Sequence, residues 1–345
     1  MSKPVKIKFV TKNQFDQGHF TLLPNKYPNH EYIFDPEARD YDWFVVYDDL
    51  PRKGDEKLPL RTESLRCPKA NTILITYEPS SIKYYGQDYI NQFAHVFTSH
   101  EEENLKHPSS HVVPPVGRWY YGPTDHALRQ PSIEDKTGII STFSSPKAMT
   151  HTLHGLRYEF LEKVKPHLPE LAFFGKGHQF VEHKSEAIDP YSYHIAIENH
   201  VGPDHWTEKL SDSFLGLSLP FYAGCTNLSD YFPKESYISI DMRDPVGASK
   251  IIKQAIENNE FEKRFPALIE ARRRVMEDYN LANFIGETIE ANSHKSDSAE
   301  DEKAEILSRH NMMRKSPLIF ARYAIGKTLR RYKAKRQANA YCSSL

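Results

Sequence analysis

The sequence predicts an α/β fold built from two doubly wound, Rossmann-like parallel-sheet domains. Three observations carry this. Short, nearly continuous apolar runs recur along the chain between turn residues, as in parallel strands buried on both faces. Stretches with helical periodicity fall between them. The alternation stops at a polar segment and then restarts, giving two series rather than one. A length of 345 residues suits two domains at ~100–200 residues each.

The first series has strands at Val5–Val10, Asp42–Tyr47, Asn71–Tyr77 and Ala94–Thr98, with a helix expected over Ser81–Phe93. The segment Leu128–Gly138, with Pro131, Asp135 and Lys136, reads as a linker. The second series opens with a strand at Gly138–Phe143. An amphipathic helix over Ala148–Val164 follows, because Met149, Leu153, Leu156, Phe160 and Val164 share one face. Further strands are expected at Leu171–Phe174, Tyr193–Ile197, Leu219–Ala223 and Tyr237–Ile240. Helices are expected at Glu208–Leu217, Val246–Asn258 and Glu260–Tyr279. The domains are placed at 1–130 and 138–290. Ligands of open parallel sheets sit at the strand carboxyl ends, so a cleft between the two domains is the expected site. Sugar transferases, epimerases, phosphorylases and binding proteins all use this layout, and fold alone does not choose among them.

Residues 291–345 form the third region. Ser293–Glu305 is polar and acidic and reads as a linker. From Arg314 to Arg336 there are nine basic residues and no acidic one, and Leu318, Ile325, Leu329 and Tyr332 share a helical face. A basic amphipathic helix of this kind suits an anionic membrane surface; a C-terminal helix packed on the protein and a disordered tail are the competing readings.

Composition excludes several classes. Lys and Arg number 45 against 46 Asp and Glu, which is not the balance of a dedicated nucleic-acid binder. No run approaches the ~18 apolar residues of a membrane span. The N-terminus lacks the apolar run of a signal peptide. Cys67, Cys225 and Cys342 show no paired spacing, which fits a reducing compartment. The expectation is a cytoplasmic protein, with peripheral attachment to the inner membrane face through 314–336.

The chemistry concentrates between Tyr191 and Asp241. A buried strand runs into Glu198-Asn199, and a polar loop leads to a helix opened by Thr207-Glu208-Lys209. The free N–H groups at such a helix start suit a pyrophosphate. Lys209 in the first turn opposes the helix dipole and is easier to explain with an anion to hold.

This window resembles the donor-binding signature of the α-1,3-fucosyltransferases, two-domain glycosyltransferases of the GT-B type. The matching residues are Ile197-Glu198-Asn199-His200, Asp204-His205-Trp206-Thr207-Glu208-Lys209-Leu210, Pro220 with Gly224, and Leu228 through Ile238. His200 replaces the family's Ser, and His205 replaces its aromatic Tyr. Upstream, Thr76-Tyr77-Glu78-Pro79-Ser80 resembles the motif carrying the family's proposed base. Arg157 and Phe173-Phe174-Gly175-Lys176-Gly177 resemble its Arg-bearing helix and Phe-Gly turn.

The resemblance implies inverting transfer of a sugar, fucose from GDP-fucose, to a hydroxyl of a glycan acceptor such as lipopolysaccharide. The first domain would bind the acceptor and the second the donor. Glu78 would act as base. Arg157, Lys176 and Lys209 would face the diphosphate. Glu198, Asn199, His205, Thr207 and Glu208 would shape the donor pocket. No metal or other cofactor is required, and divalent-cation stimulation is left open. Asp40-Tyr41-Asp42 spells a D-x-D, but it precedes its strand and is not expected to hold a metal. Two alternatives stay open: a transferase for another nucleotide sugar, and a non-catalytic membrane-surface protein on the same fold.

Overall fold

The structure, a computed structural model, describes residues 3–12, 17–115, 121–129, 131–144, 152–292 and 304–343. The chain divides into two compact units. One comprises Met1–Gly117 with Leu281–Tyr332, and the other Arg118–Asn280 with Lys333–Leu345.

The first unit is built on strands β1 (Val5–Thr11), β2 (His30–Ile33), β3 (Trp43–Tyr47), β4 (Thr62–Ser64), β5 (Thr72–Ile75), β6 (His95–Thr98) and β7 (Ser110–Val112), with short helices α1 (Gly18–Thr21) and α2 (Gln87–Ile90). Its main sheet has the order β2-β1-β3-β5-β6-β7 and is parallel throughout. β3 and β5 are buried along their whole length, as their continuous apolar sequences require. The expected helix over Ser81–Phe93 shrinks to the four residues of α2. Gly86, at φ +84°, lies in the left-handed region and stops a right-handed helix from running through it.

The second unit opens with α3 (Thr124–Ala127) and β8 (Gly138–Phe143). It continues through α4 (His154–Val164), β9 (Leu171–Phe174), α5 (Ser185–Ile188), β10 (Tyr191–Gly202), α6 (Glu208–Leu215), β11 (Leu219–Cys225), β12 (Ile238–Ser239), α7 (Pro245–Glu257) and α8 (Glu260–Met276). The sheet order is β12-β11-β10-β8-β9, again parallel. The order therefore reverses between β8 and β10, the switch point where ligands of such sheets bind. α4 packs on β10 and α7, while α6 packs on β10, β11, α5 and α8. The helix expected from Ala148 begins at His154. Thr152 and Leu153 precede it, and 148–151 lie outside the described residues.

The chain then returns to the first unit through α9 (Leu281–Asn292), β13 (Glu305–Leu307) and α10 (Arg309–Lys315), and ends in α11 (Pro317–Ser343). Here the structure differs from the expected 138–290 domain and separate tail. α9 packs on the first unit: Asn283 Oδ1 accepts the Lys26 N–H at 2.9 Å, and the Tyr32 hydroxyl donates to the Ala282 carbonyl at 3.2 Å. β13 pairs antiparallel with β4, and Ile306 and Met312 enter the first unit's core. Charge marked this region as a tail, but a few apolar side chains decide where it packs. The acidic linker expected over Ser293–Glu305 falls on undescribed residues up to 303; Glu305 itself opens β13.

α9 meets the first unit closely at Gly286, where a β-carbon would fall 2.1 Å from the Tyr27 ring. Gly286→Ala should therefore destabilise the protein by about 1–3 kcal/mol, the usual cost of overpacking. Denaturant titration of both proteins checks this. An unchanged midpoint would show that α9 does not pack as described.

Candidate functional site

At the switch point of the second unit, the carboxyl end of β10 carries a cluster of charges. Glu198 is the last residue of the buried run and is 1% exposed. Its carboxylate accepts the Thr207 N–H at 2.9 Å and the Thr207 hydroxyl at 2.8 Å, and lies 3.4 Å from Lys209 Nζ. Thr207 caps α6, its hydroxyl accepting the Lys209 N–H at 3.3 Å. Lys209 Nζ also lies 3.1 Å from Glu208 Oε1. Arg157, on α4, donates to Asn199 Oδ1 at 3.0 Å. The Leu153 N–H, just before α4, donates to the Asn199 carbonyl at 3.4 Å.

The structure thus brings together six of the residues singled out by sequence: Arg157, Glu198, Asn199, Thr207, Glu208 and Lys209. Lys176 is exposed in the turn after β9 and shares no hydrogen bond or ion pair with the cluster among the described residues. His205 is buried, its ring 5.1 Å from and edge-on to that of His200. The helix start offers less to an anion than expected. Two of its N–H groups, on Thr207 and Lys209, already have side-chain acceptors. The cationic side chains are left as the main groups for a diphosphate.

Two partners escaped the sequence reading. Lys184, just before α5, pairs with buried Asp212 on α6 at 2.7 Å and lies 5.8 Å from the Phe143 ring at the end of β8. Asp212 stands one helical turn beyond Glu208, and a second acid at that spacing on the same helix face was the available signal. Burial pushes the Asp212 carboxyl up to about 6 against the pull of Lys184. Glu198 is raised by burial, although Lys209 opposes this. Burial also acts to raise Glu208, but Lys209 and then Lys184 overcome it and bring Glu208 to about 2. Lys209, despite burial, is raised by Glu208 and Glu198 and stays charged.

The rest of the signature is a scaffold. Trp206 sits edge-on to Phe232 at 4.9 Å and to Tyr279 at 5.2 Å. Asp204, at φ +58°, accepts from the Asn227 amide at 2.8 Å and the Tyr231 hydroxyl at 2.7 Å, pinning the loop ahead of α6. A β-carbon at Gly224 would fall 2.4 Å from Glu198 Cγ, so this glycine lets the end of β11 approach the carboxylate.

In the first unit, Glu78 follows the carboxyl end of β5. Its carbonyl accepts from the His100 ring at 2.7 Å, and its side chain is partly exposed. Nearby, the carboxyl end of β3 carries Asp48, at φ +75°, which pairs with Lys83 and accepts the Tyr85 hydroxyl at 2.7 Å. Asp49 is fully buried and pairs with Arg309 of α10 at 3.2 Å. Asp40 and Asp42 both bind Lys6, through its ammonium and its N–H respectively. No group of three or more His, Cys, Asp or Glu residues is placed to hold a metal ion among the described residues.

With this geometry in place, the comparisons assign the chain to the glycosyltransferases. A model of the C-terminal domain of glycosyltransferase family 10 (fucosyltransferase) matches residues 133–264. The 4-galactosyl-N-acetylglucosaminide 3-alpha-L-fucosyltransferase 9 of Cricetulus griseus is 31% identical over 91 residues, covering 24% of this chain and 25% of that protein. Its Homo sapiens counterpart is 32% identical over 75 residues, 21% of each chain. The matched stretch thus spans a quarter or less of the curated relatives' length. A solved alpha1,3-fucosyltransferase with GDP-fucose aligns with a TM-score of 0.49 at 15% identity, over 87% of this chain and 92% of that one.

Free of ligand, Arg157, Lys184 and Lys209 face Glu198, Glu208 and Asp212, three charges of each sign. An incoming diphosphate adds negative charge and raises the affinity of Asp212 and Glu198 for protons. At pH 7, GDP binding should therefore take up protons. Calorimetry in buffers of different ionisation enthalpy reads this, and Asp212→Asn should reduce the uptake. Uptake identical in the variant and the parent would remove Asp212 from the account.

Proposed function

We propose that this chain transfers fucose from GDP-fucose to a hydroxyl of a glycan acceptor, with inversion at the anomeric carbon. The observation that carries the reading is the Arg157, Glu198, Glu208 and Lys209 cluster at the switch point, within the stretch matched to family 10. Lys209 and Arg157 hold the diphosphate and stabilise the charge that develops as it leaves. Lys184, held by Asp212, adds a third cation. Glu208, kept ionised near pH 2 and above, accepts from donor hydroxyls. Glu78 takes the acceptor proton as its oxygen attacks. Asn199 orients Arg157, and His205 shapes the donor loop from beneath. The acceptor is a glycan at a cell surface or on a lipid carrier, and the protein works in the cytoplasm at the membrane face. A donor other than GDP-fucose is the second reading, favoured by His205 where the family has Tyr.

A thermal-shift panel of GDP, UDP and CMP tests class and donor together. GDP should stabilise the protein and UDP should not; the reverse would overturn the donor assignment. Lys209→Ala should weaken GDP binding by about tenfold or more, the loss expected when a charged contact worth ~1.5–3 kcal/mol is removed. Glu78→Gln should lower transfer by about 10²–10⁴-fold, the usual share of a general base, while GDP binding survives. Full activity in that variant would sink the base assignment.

A further inference from the structure

We infer that Tyr85 and His100 are positioning residues for Glu78, clamping the backbone on either side of it. The inference rests on the reading of Glu78 as the base.

The need for a clamp follows from where the sheet ends. β5 pairs with β6 as far as Ile75, and one more contact follows, the Thr76 N–H donating to the Phe97 carbonyl at 2.9 Å. Past Thr76 the chain leaves the sheet, and its backbone groups need other partners. Two buried side chains supply them. The Tyr85 hydroxyl accepts the Tyr77 N–H at 3.0 Å, one residue before Glu78. The His100 ring donates from Nε2 to the Glu78 carbonyl at 2.7 Å; a carbonyl only accepts, so this nitrogen carries the proton. Pro79 adds a covalent restriction, because a proline disfavours helical backbone at the residue before it.

Both clamping groups are themselves held. Tyr85 is 2% exposed and His100 8%, with ring centroids 5.7 Å apart. The Tyr85 hydroxyl donates to Asp48 Oδ1 at 2.7 Å, which leaves its lone pairs to Tyr77. Burial raises the Tyr85 hydroxyl well above its ordinary value, so it stays protonated and keeps donating. Asp48 is paired with Lys83, and its own N–H donates to the Ile75 carbonyl at 2.9 Å. It holds this place at φ +75°, a left-handed conformation that Asp tolerates better than most side chains. On the other side, the His100 N–H donates to Thr98 Oγ1 at 3.0 Å, and the Thr76 hydroxyl donates to the same oxygen at 2.7 Å. The ends of β3 and β6 thus fix the residue that follows β5.

A base acts only within hydrogen-bond reach of the proton it takes. Glu78 has a partly exposed side chain, open to an acceptor, and its clamped backbone supplies the fixed point. A displacement of about 1 Å at such a group costs about 10²-fold in rate.

Hydrolysis of GDP-fucose tests this with water in the acceptor's place. Water attacks the anomeric carbon, its proton passes to Glu78, and GDP leaves with the electron pair of the broken C–O bond. Tyr85→Phe and His100→Ala should each lower kcat by about 10–100-fold. KM for GDP-fucose should stay within about twofold of the parent's, because both residues belong to the first unit and the donor cluster to the second. His100→Gln, whose amide can reach the same carbonyl, should restore most of the His100→Ala loss. Added to Glu78→Gln, Tyr85→Phe should cause no further drop, since a residue acting through Glu78 then has nothing to position. Excess enzyme and a single turnover make these slow rates readable.

The inference is overturned if Tyr85→Phe and His100→Ala keep the parent's kcat, or if His100→Gln is as slow as His100→Ala. It is also overturned if the Tyr85→Phe loss multiplies that of Glu78→Gln, the mark of a general structural role. The thermal midpoint of each variant shows that it is folded, and the two His100 variants carry the test if Tyr85→Phe does not fold. A Glu78→Gln variant as fast as the parent would overturn the base reading and this inference with it. A slow Glu78→Gln variant beside fast Tyr85→Phe and His100→Ala variants overturns this inference alone.

Discussion

The second unit is organised around one buried carboxylate. Glu198 ends the buried run of β10, and its oxygens are taken by the Thr207 N–H, the Thr207 hydroxyl and the Lys209 ammonium. Those contacts join the last buried residue of the β10 run to the start of α6 across the eight residues 199–206, the end of β10 and the loop that follows it. They also fix where Glu208 and Lys209 point, since both lie in the first turn behind Thr207. A buried ion pair of this kind contributes little net stability, but removing one partner costs about 3–5 kcal/mol because the other is left uncompensated. The neighbours respect that constraint. Gly224 leaves room for the carboxylate, and Asp204, Asn227 and Tyr231 hold the intervening loop.

The first unit rests on a different kind of closure. Its main sheet is made by residues before Gly117, but its core is completed from the far end of the chain. Asp49, fully buried after β3, is paired only when Arg309 arrives on α10. Ile306 and Met312 fill the same core. Buried charge and apolar burial thus enforce one connectivity. A first unit without Arg309 and β13 would leave the Asp49 carboxylate unpaired and strip β4 of its strand partner.

Legibility in the sequence followed the strength of local signals. Gly138–Phe143 and Leu171–Phe174 match β8 and β9 residue for residue, because a continuous apolar run between turn residues has few other solutions. α7 and α8 were readable from periodicity. β2, β4, β7 and β13 were not, since each is only three or four residues long and partly polar. The Ser81–Phe93 helix failed for a reason visible only in the backbone, the left-handed Gly86. In the site, motif spacing found the residues that share β10 and α6. It could not find Lys184, which reaches the cluster from a different loop, nor the pair Asp49 and Arg309, which lie 260 positions apart in sequence and meet only through packing.

The distribution of charge separates positioning from association. At the switch point three cations face three acids, and around Asp48 and Asp49 the acids are answered by Lys83 and Arg309. These buried sets are close to neutral, as burial demands, and they respond only when a ligand or a proton arrives. The longest run of one sign, the nine cations from Arg314 to Arg336, lies mostly on α11, while acids elsewhere bring the chain to a net charge of -1. A nearly neutral total is therefore compatible with a strongly one-sided surface. Long-range attraction depends on that exposed excess, whereas the geometry of any transfer step depends on the balanced interior sets. The two can be altered independently: a substitution among the exposed cations of α11 changes the surface charge, and one at Glu198 or Lys209 changes the balance of the buried cluster.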